Sequence, residues 1–150
     1  MVVVARRAVV VARRVQVIKA KVVVVTISMA IGIEATMPTL FGGLNNGRAT
    51  RCVDQLCGAS MKWRQMPSML AARYDPGTCK MPAGGVIVAG GRDETNVLSS
   101  AEEFDPMKGC WVAMPPMETA RLGCRASRLP DGRVIVMGGF DGRRAVASVE

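Results

Sequence analysis

The stretch GGVIVAGGRDETNVLSSAEEFDPMKGCWVAMPP, from Gly84 to Pro116, decides the fold. Val86-Ile87-Val88-Ala89 is a short β-branched run between the turn Pro82-Ala83-Gly84-Gly85 and the pair Gly90-Gly91, so it reads as a strand with a stop at each end. Asn96 to Phe104 reads as the next strand. Cys110-Trp111-Val112, halted by Met114-Pro115-Pro116, reads as another.

Working outward, the same signals return at a fixed offset. Gly42-Gly43, Gly90-Gly91 and Gly138-Gly139 are spaced by 48 residues, as are the chain's two tryptophans, Trp63 and Trp111. The offset also lays Met66-Pro67 on Met114-Pro115, Met69 on Met117, Ala72-Arg73 on Ala120-Arg121, and Val86-Ile87-Val88 on Val134-Ile135-Val136. Laid on residues 107–150 without a gap, residues 59–102 are identical at 16 of 44 positions. A unit of this length holding four short strands is the signature of a β-propeller blade. The expected fold class is therefore all-β, built of four-stranded antiparallel blades in an incomplete propeller.

The units divide the chain into a leader over 1–36, a partial blade over 37–66, a complete blade over 67–114 and a partial blade over 115–150. The strands of the complete blade are expected between Arg73 and Ala113. Pro130-Asp131-Gly132 predicts a two-residue Asp-Gly hairpin before a strand from Arg133 to Met137. Val25 to Ile33 lies in register with Arg73 to Met81, which makes it a candidate inner strand of the first blade.

These residues resemble the kelch-repeat family. Its mark is a Gly-Gly pair, then an aromatic residue, then six residues, then Trp; here Gly90-Gly91 is followed by Phe104 and Trp111. The first copy departs from the pattern, with Leu56 in the aromatic position before Trp63. The resemblance spans about two and a half blades. It marks Gly42, Gly43, Trp63, Arg73, Gly90, Gly91, Phe104, Trp111, Arg121, Gly138 and Gly139 as structural motif residues. The glycines are expected to allow close backbone packing, the aromatics to pack between blades, and the arginines to bond structural groups between blades. Fewer than three blades cannot close a ring, so the chain is expected to be a portion of a larger propeller or to self-associate through unpaired blades.

The resemblance implies a non-catalytic protein–protein interaction module that binds a protein partner through its inter-strand loops. The loops after the Gly-Gly pairs, most of whose residues do not repeat, hold the candidates for specificity: Asn45 and Asn46; Arg92, Asp93 and Glu94; and Asp141, Arg143 and Arg144. Arg92 and the Arg143-Arg144 pair offer bidentate donors to acidic side chains of a partner. Family members that follow a BTB domain recruit substrates to a cullin ubiquitin ligase, and others bind actin filaments as cytoskeletal scaffolds. Residues 1–36 do not resemble a BTB domain. A galactose-oxidase-like propeller is a third relative, and its copper chemistry requires Tyr and His ligands. The chain has one Tyr and no His, so that reading survives only in a catalytically dead form.

The missing histidine also removes Ser-His-Asp and Cys-His nucleophile pairs and imidazole metal ligands. The five cysteines occupy no repeated position and form no C-x-x-C, so no metal and no cofactor is expected, and free thiols suit a reducing, cytoplasmic compartment. The net charge of +8 suggests nucleic acid at first sight. Six of the 20 basic residues, however, lie in residues 1–33, where there is no acidic residue, leaving 14 against all 12 acidic ones in the body. That body lacks the clustered Lys and Arg with interleaved aromatics that nucleic acid requires, and no nucleic-acid partner is expected. The leader contains VVVARRA (2–8) repeated as VVVARRV (9–15), then the apolar run Val22–Ile33. Organelle or secretory targeting, a disordered tail and a blade strand all remain open for it. The run is too short to span a membrane.

Overall fold

A computed structural model describes residues 38–57 and 60–150. The candidate strand Val25–Ile33 and the leader lie outside the described residues. Eleven strands are described, named in chain order: β1 (Thr39–Phe41), β2 (Leu44–Asn45), β3 (Arg48–Ala49), β4 (Val53–Cys57), β5 (Lys62–Met66), β6 (Gly77–Lys80), β7 (Val86–Ala89), β8 (Ala101–Asp105), β9 (Cys110–Met114), β10 (Arg125–Arg128) and β11 (Val134–Met137). β6-β7-β8-β9 form one four-stranded antiparallel sheet, the second blade. Before it, β1-β4-β5 form a three-stranded sheet, the first blade. After it, β10-β11 pair, and Val149 bridges to Met137, in the third. The fold is all-β with kelch-type blades.

The period governs the geometry as well as the letters. β4, β5, β6 and β7 each recur 48 residues later with the same bounds, as β8, β9, β10 and β11. Two local expectations need correction. The strand expected over Asn96–Phe104 begins at Ala101, because Asp93, Asn96 and Gly91 use their backbone groups to close a turn first. The strands of the complete blade accordingly run from Gly77 to Met114 rather than from Arg73 to Ala113. The Asp-Gly hairpin also differs: Gly132 N–H donates to Leu129 O at 3.0 Å and Leu129 N–H to Arg133 O at 2.7 Å, so three residues form the connection. Gly132 takes the positive φ of 95° that the last position of this three-residue connection needs.

The core lies between blades. Val53 and Met69 of the first blade and its link meet Val88 and Trp111 of the second, with Phe41, Met66, Val86 and Phe104 packed around them. Trp111 stands edge-on to Phe41, centroids 6.1 Å apart, and tilted against Phe104 at 5.5 Å. Its indole Nε1–H donates to Pro67 O at 2.8 Å, which satisfies the one polar atom that burial would strand. A smaller cluster of Ala89, Cys124 and Val136 joins the second blade to the third. Trp63 departs from the expectation for both tryptophans. It is 43% exposed, and Leu56 stands opposite it where Phe104 stands opposite Trp111.

The links between blades are held by arginine. The backbone of Arg73 bonds to the first blade: its N–H donates to Thr50 O at 3.2 Å and its carbonyl accepts from Gly43 at 2.9 Å. Its guanidinium enters the second blade, where it donates to Gly90 O at 2.6 Å, Ser100 O at 3.0 Å and Glu102 Oε1 at 2.7 Å. Glu102 in turn accepts from the link amides of Leu70 and Ala71. Arg121 repeats the arrangement one unit on. Its carbonyl accepts from Gly91, and its guanidinium donates to Gly138 O, Ser148 O and Glu150. Both arginines are fully buried. The first glycine of each pair makes room for this. At Gly42 and at Gly90 a Cβ would fall inside the carbonyl oxygen of Arg73 or Arg121, and both have φ of 66°.

Two predictions follow from this packing. Trp111→Ala should cost about 3–5 kcal/mol in denaturant unfolding, whereas Trp63→Ala should cost under about 1 kcal/mol. Arg73→Met strands the buried Glu102 carboxylate and should cost about 3–5 kcal/mol, while the double variant Arg73→Met/Glu102→Gln should recover much of the loss.

Candidate functional site

Antiparallel order within a blade sorts its connections between two ends. The turns joining β6 to β7 and β8 to β9 lie at one end. The turn from β7 to β8 and the links between blades lie at the other. All eight candidate binding residues belong to this second end; seven lie on three turns in matching positions, 45–48, 93–96 and 141–144, and Arg92 directly precedes the second.

Each turn is held by its first residue in its own way. Asn45 is not a loop residue, because it pairs with Arg48 as the last residue of β2. Asn46 and Gly47, with φ of 51° and 77°, form the two-residue hairpin tip, a conformation that Asn and Gly tolerate. In the second blade Asp93 Oδ1 accepts from the amides of Thr95 at 2.7 Å and Asn96 at 2.6 Å. In the third, Asp141 Oδ1 accepts from Arg143 at 2.7 Å and Arg144 at 2.8 Å. These two aspartates therefore shape the turns with one carboxylate oxygen. Glu94 is exposed at the tip of its turn.

The cations differ in what holds them. Arg92 is half-buried, and its backbone bridges to Tyr74 and Val97, so its position belongs partly to the scaffold. Arg143 is exposed. Arg144 Nε lies 3.7 Å from Asp141 Oδ2 with its side chain 86% exposed, a loose pair that a partner's carboxylate can replace. The third turn approaches the second, since a Cβ on Gly142 would stand 3.4 Å from Val97 Cγ2.

The structure adds Arg48, exposed in the first turn. It stands 48 residues before Asn96 and 96 before Arg144, so the register that located the other turns also marks it. Glu102 and Glu150 were also legible as an identical pair at that offset; their role in the arginine clasps needed the structure. Among the described residues no His, Cys, Asp or Glu group gathers into a metal-sized cluster, and no helix is long and apolar enough to cross a membrane.

Hydrogen bonds from the backbone of Arg144 and then Arg143 hold the Asp141 carboxyl below its usual range, and those from Asn96 and Thr95 do the same for Asp93. A depressed carboxylate pKa stabilises the turn above the unfolded pKa, and that contribution disappears as pH falls through the folded value. Titration by NMR should therefore show the Arg143 and Arg144 amides shifting together at a pH below that of an unperturbed aspartate. Asp141→Asn should abolish that transition.

Residues 83–118 match the family model of the Kelch motif. No curated protein matches the chain. The matched segment spans β7, β8, β9 and the start of the link after them; β7 recurs 48 residues later as β11, and β8 and β9 recur 48 residues earlier as β4 and β5, with the same bounds. The chain thus carries a Kelch motif over residues 83–118, set in a blade geometry that repeats around it.

Proposed function

We propose that the chain is a non-catalytic binding module that takes an acidic segment of a protein partner across the end bearing the turns 45–48, 93–96 and 141–144. Kelch repeats in general mediate protein–protein binding. The observation that carries the finer reading is the exposure of Arg48 and Arg144 at equivalent positions, with Arg143 beside the latter, on turns whose shape is set by Asn45 and Asp141. A turn backbone fixed by its own hydrogen bonds, with exposed guanidinium groups on it, suits bidentate capture of carboxylates without ordering of the loop itself. Salt dependence follows from the same chemistry. The five cysteines are free thiols, which supports a cytoplasmic setting for this role.

Ligase-substrate recruitment and actin-filament binding both use such a face, and each is an outcome of one experiment. Acidic and charge-neutralised peptide arrays, alongside actin filaments for co-sedimentation, are presented to the wild-type chain and to Arg143→Glu/Arg144→Glu. Acidic peptides should bind the wild type and lose at least about tenfold on charge reversal or in high salt. Equal binding of neutral peptides, or binding that survives reversal, contradicts the proposal. Co-sedimentation that the reversal removes assigns the face to filaments instead.

A further inference from the structure

The outer edges of the first two blades carry equivalent strands of opposite character. β5 reads KWRQM, and β9, 48 residues later, reads CWVAM. Trp and Met are kept, while Lys62, Arg64 and Gln65 give way to Cys110, Val112 and Ala113. Each strand ends its sheet, in the orders β1-β4-β5 and β6-β7-β8-β9. Lys and other charges on an edge strand keep it from pairing with other chains. β5 has that protection and β9 has none, although Cys110, Val112 and Ala113 are all exposed. The second blade is complete at four strands, so β9 is its edge whichever blades stand beside it.

Hydrogen-bond parity shows which groups this edge offers. Gly90 N–H donates to Ser100 O at 3.0 Å, so Ser100 and, by alternation, Glu102 and Phe104 turn their backbone groups toward β7. Ala101, Glu103 and Asp105 turn theirs toward Met114, Val112 and Cys110 of β9. The N–H and C=O of Trp111 and of Ala113 are left pointing outward. A two-fold antiparallel pairing centred on Val112 uses all four of these groups, with Trp111 opposite Ala113 of the second copy. The neighbouring registers lose bonds. Centring on Trp111 sets Ala113 opposite Gly109, whose N–H is already given to Asp105 O at 2.8 Å. Centring on Ala113 sets Trp111 opposite Pro115, which has no N–H.

We propose that β9 is a self-pairing edge: two copies of the chain join through antiparallel β9 strands centred on Val112, so that one sheet runs across the two-fold axis. The contact is isologous, as most dimer interfaces are. The two Val112 side chains meet as a non-hydrogen-bonded pair, the closer kind, and bury the apolar surface that each leaves 45% exposed alone. Charge at the strand ends agrees with the antiparallel sense. Lys108, its side chain 71% exposed, precedes the strand and the exposed Glu118 follows it, so each copy's cation comes to the end where the other's carboxylate lies. In β5 the same pairing would set Arg64 against its own copy.

Sedimentation velocity of the full chain in reducing buffer, which excludes a Cys110 disulfide, should show a reversible, concentration-dependent dimer. Val112→Arg places in β9 the residue that β5 already accommodates at the equivalent position. That variant should keep its thermal transition and raise the dimer dissociation constant at least about tenfold, through like charge across the axis. Val112→Thr, β-branched and uncharged, should retain the dimer. Hydrogen exchange should slow at the Trp111 and Ala113 amides as concentration rises and stay constant at the equivalent Trp63 and Gln65. A chain that is monomeric at every concentration up to its solubility limit overturns the proposal, as does a dimer that Val112→Arg leaves intact. A monomer that instead takes an extended peptide of unrelated sequence at this edge also overturns it, assigning β9 to a different partner.

Discussion

Everything in this fold depends on one buried cation per link. A guanidinium removed from water costs several kcal/mol unless its donors are met. The two terminal nitrogens of Arg73 meet that demand only when two chain segments of the next blade, around Gly90 and around Ser100–Glu102, stand together, while its Nε is buried without a partner. Its backbone is meanwhile bonded to the blade before. The residue therefore cannot be satisfied by either blade alone. Arg121 imposes the same condition one unit later. Replacing such a pair with apolar residues need not lower stability, so its contribution is to geometry: it admits one register between neighbouring blades.

The aromatic and glycine positions follow from that register. The link carbonyl that lies against Gly42 or Gly90 leaves no space for a side chain, which ties each glycine to the arginine that follows it. With the link fixed, Pro67 O is presented to the indole of Trp111, and Phe41 and Phe104 close on the ring. The exposed Trp63 shows the other half of the argument. The same residue at the same blade position is 43% exposed where Leu56, not an aromatic residue, stands opposite it.

Repetition made most of this legible. An element that recurs with Gly-Gly, Trp and Arg in step must recur in space, and the strand bounds repeat to the residue. The misreadings came where local pattern and hydrogen bonding disagree. Val97 and Leu98 look like strand residues, but Asp93 draws the amides of Thr95 and Asn96 into a turn and delays the strand to Ala101. Asp131-Gly132 has the letters of a two-residue hairpin, yet Leu129 and Arg133 pair across a three-residue one. At the candidate face the period located the turns, while exposure decided between their arginines: it separated Arg143 and Arg144 from the half-buried Arg92 and brought Arg48 forward. Residues that do not repeat have no register against which a single sequence can check them.

The repeating positions thus carry the scaffold, and the clasps hold the blades in step. Native-state hydrogen exchange of the full chain tests that claim most directly. If the clasps couple the blades, amides of β7 and β8 in the second blade and of β11 in the third will exchange through one shared opening with a common free energy, and Arg121→Met will split it in two. If β10-β11 already open independently and at lower cost in the wild type, and Arg121→Met leaves their exchange unchanged, the arginine links do not couple the blades and the account is wrong.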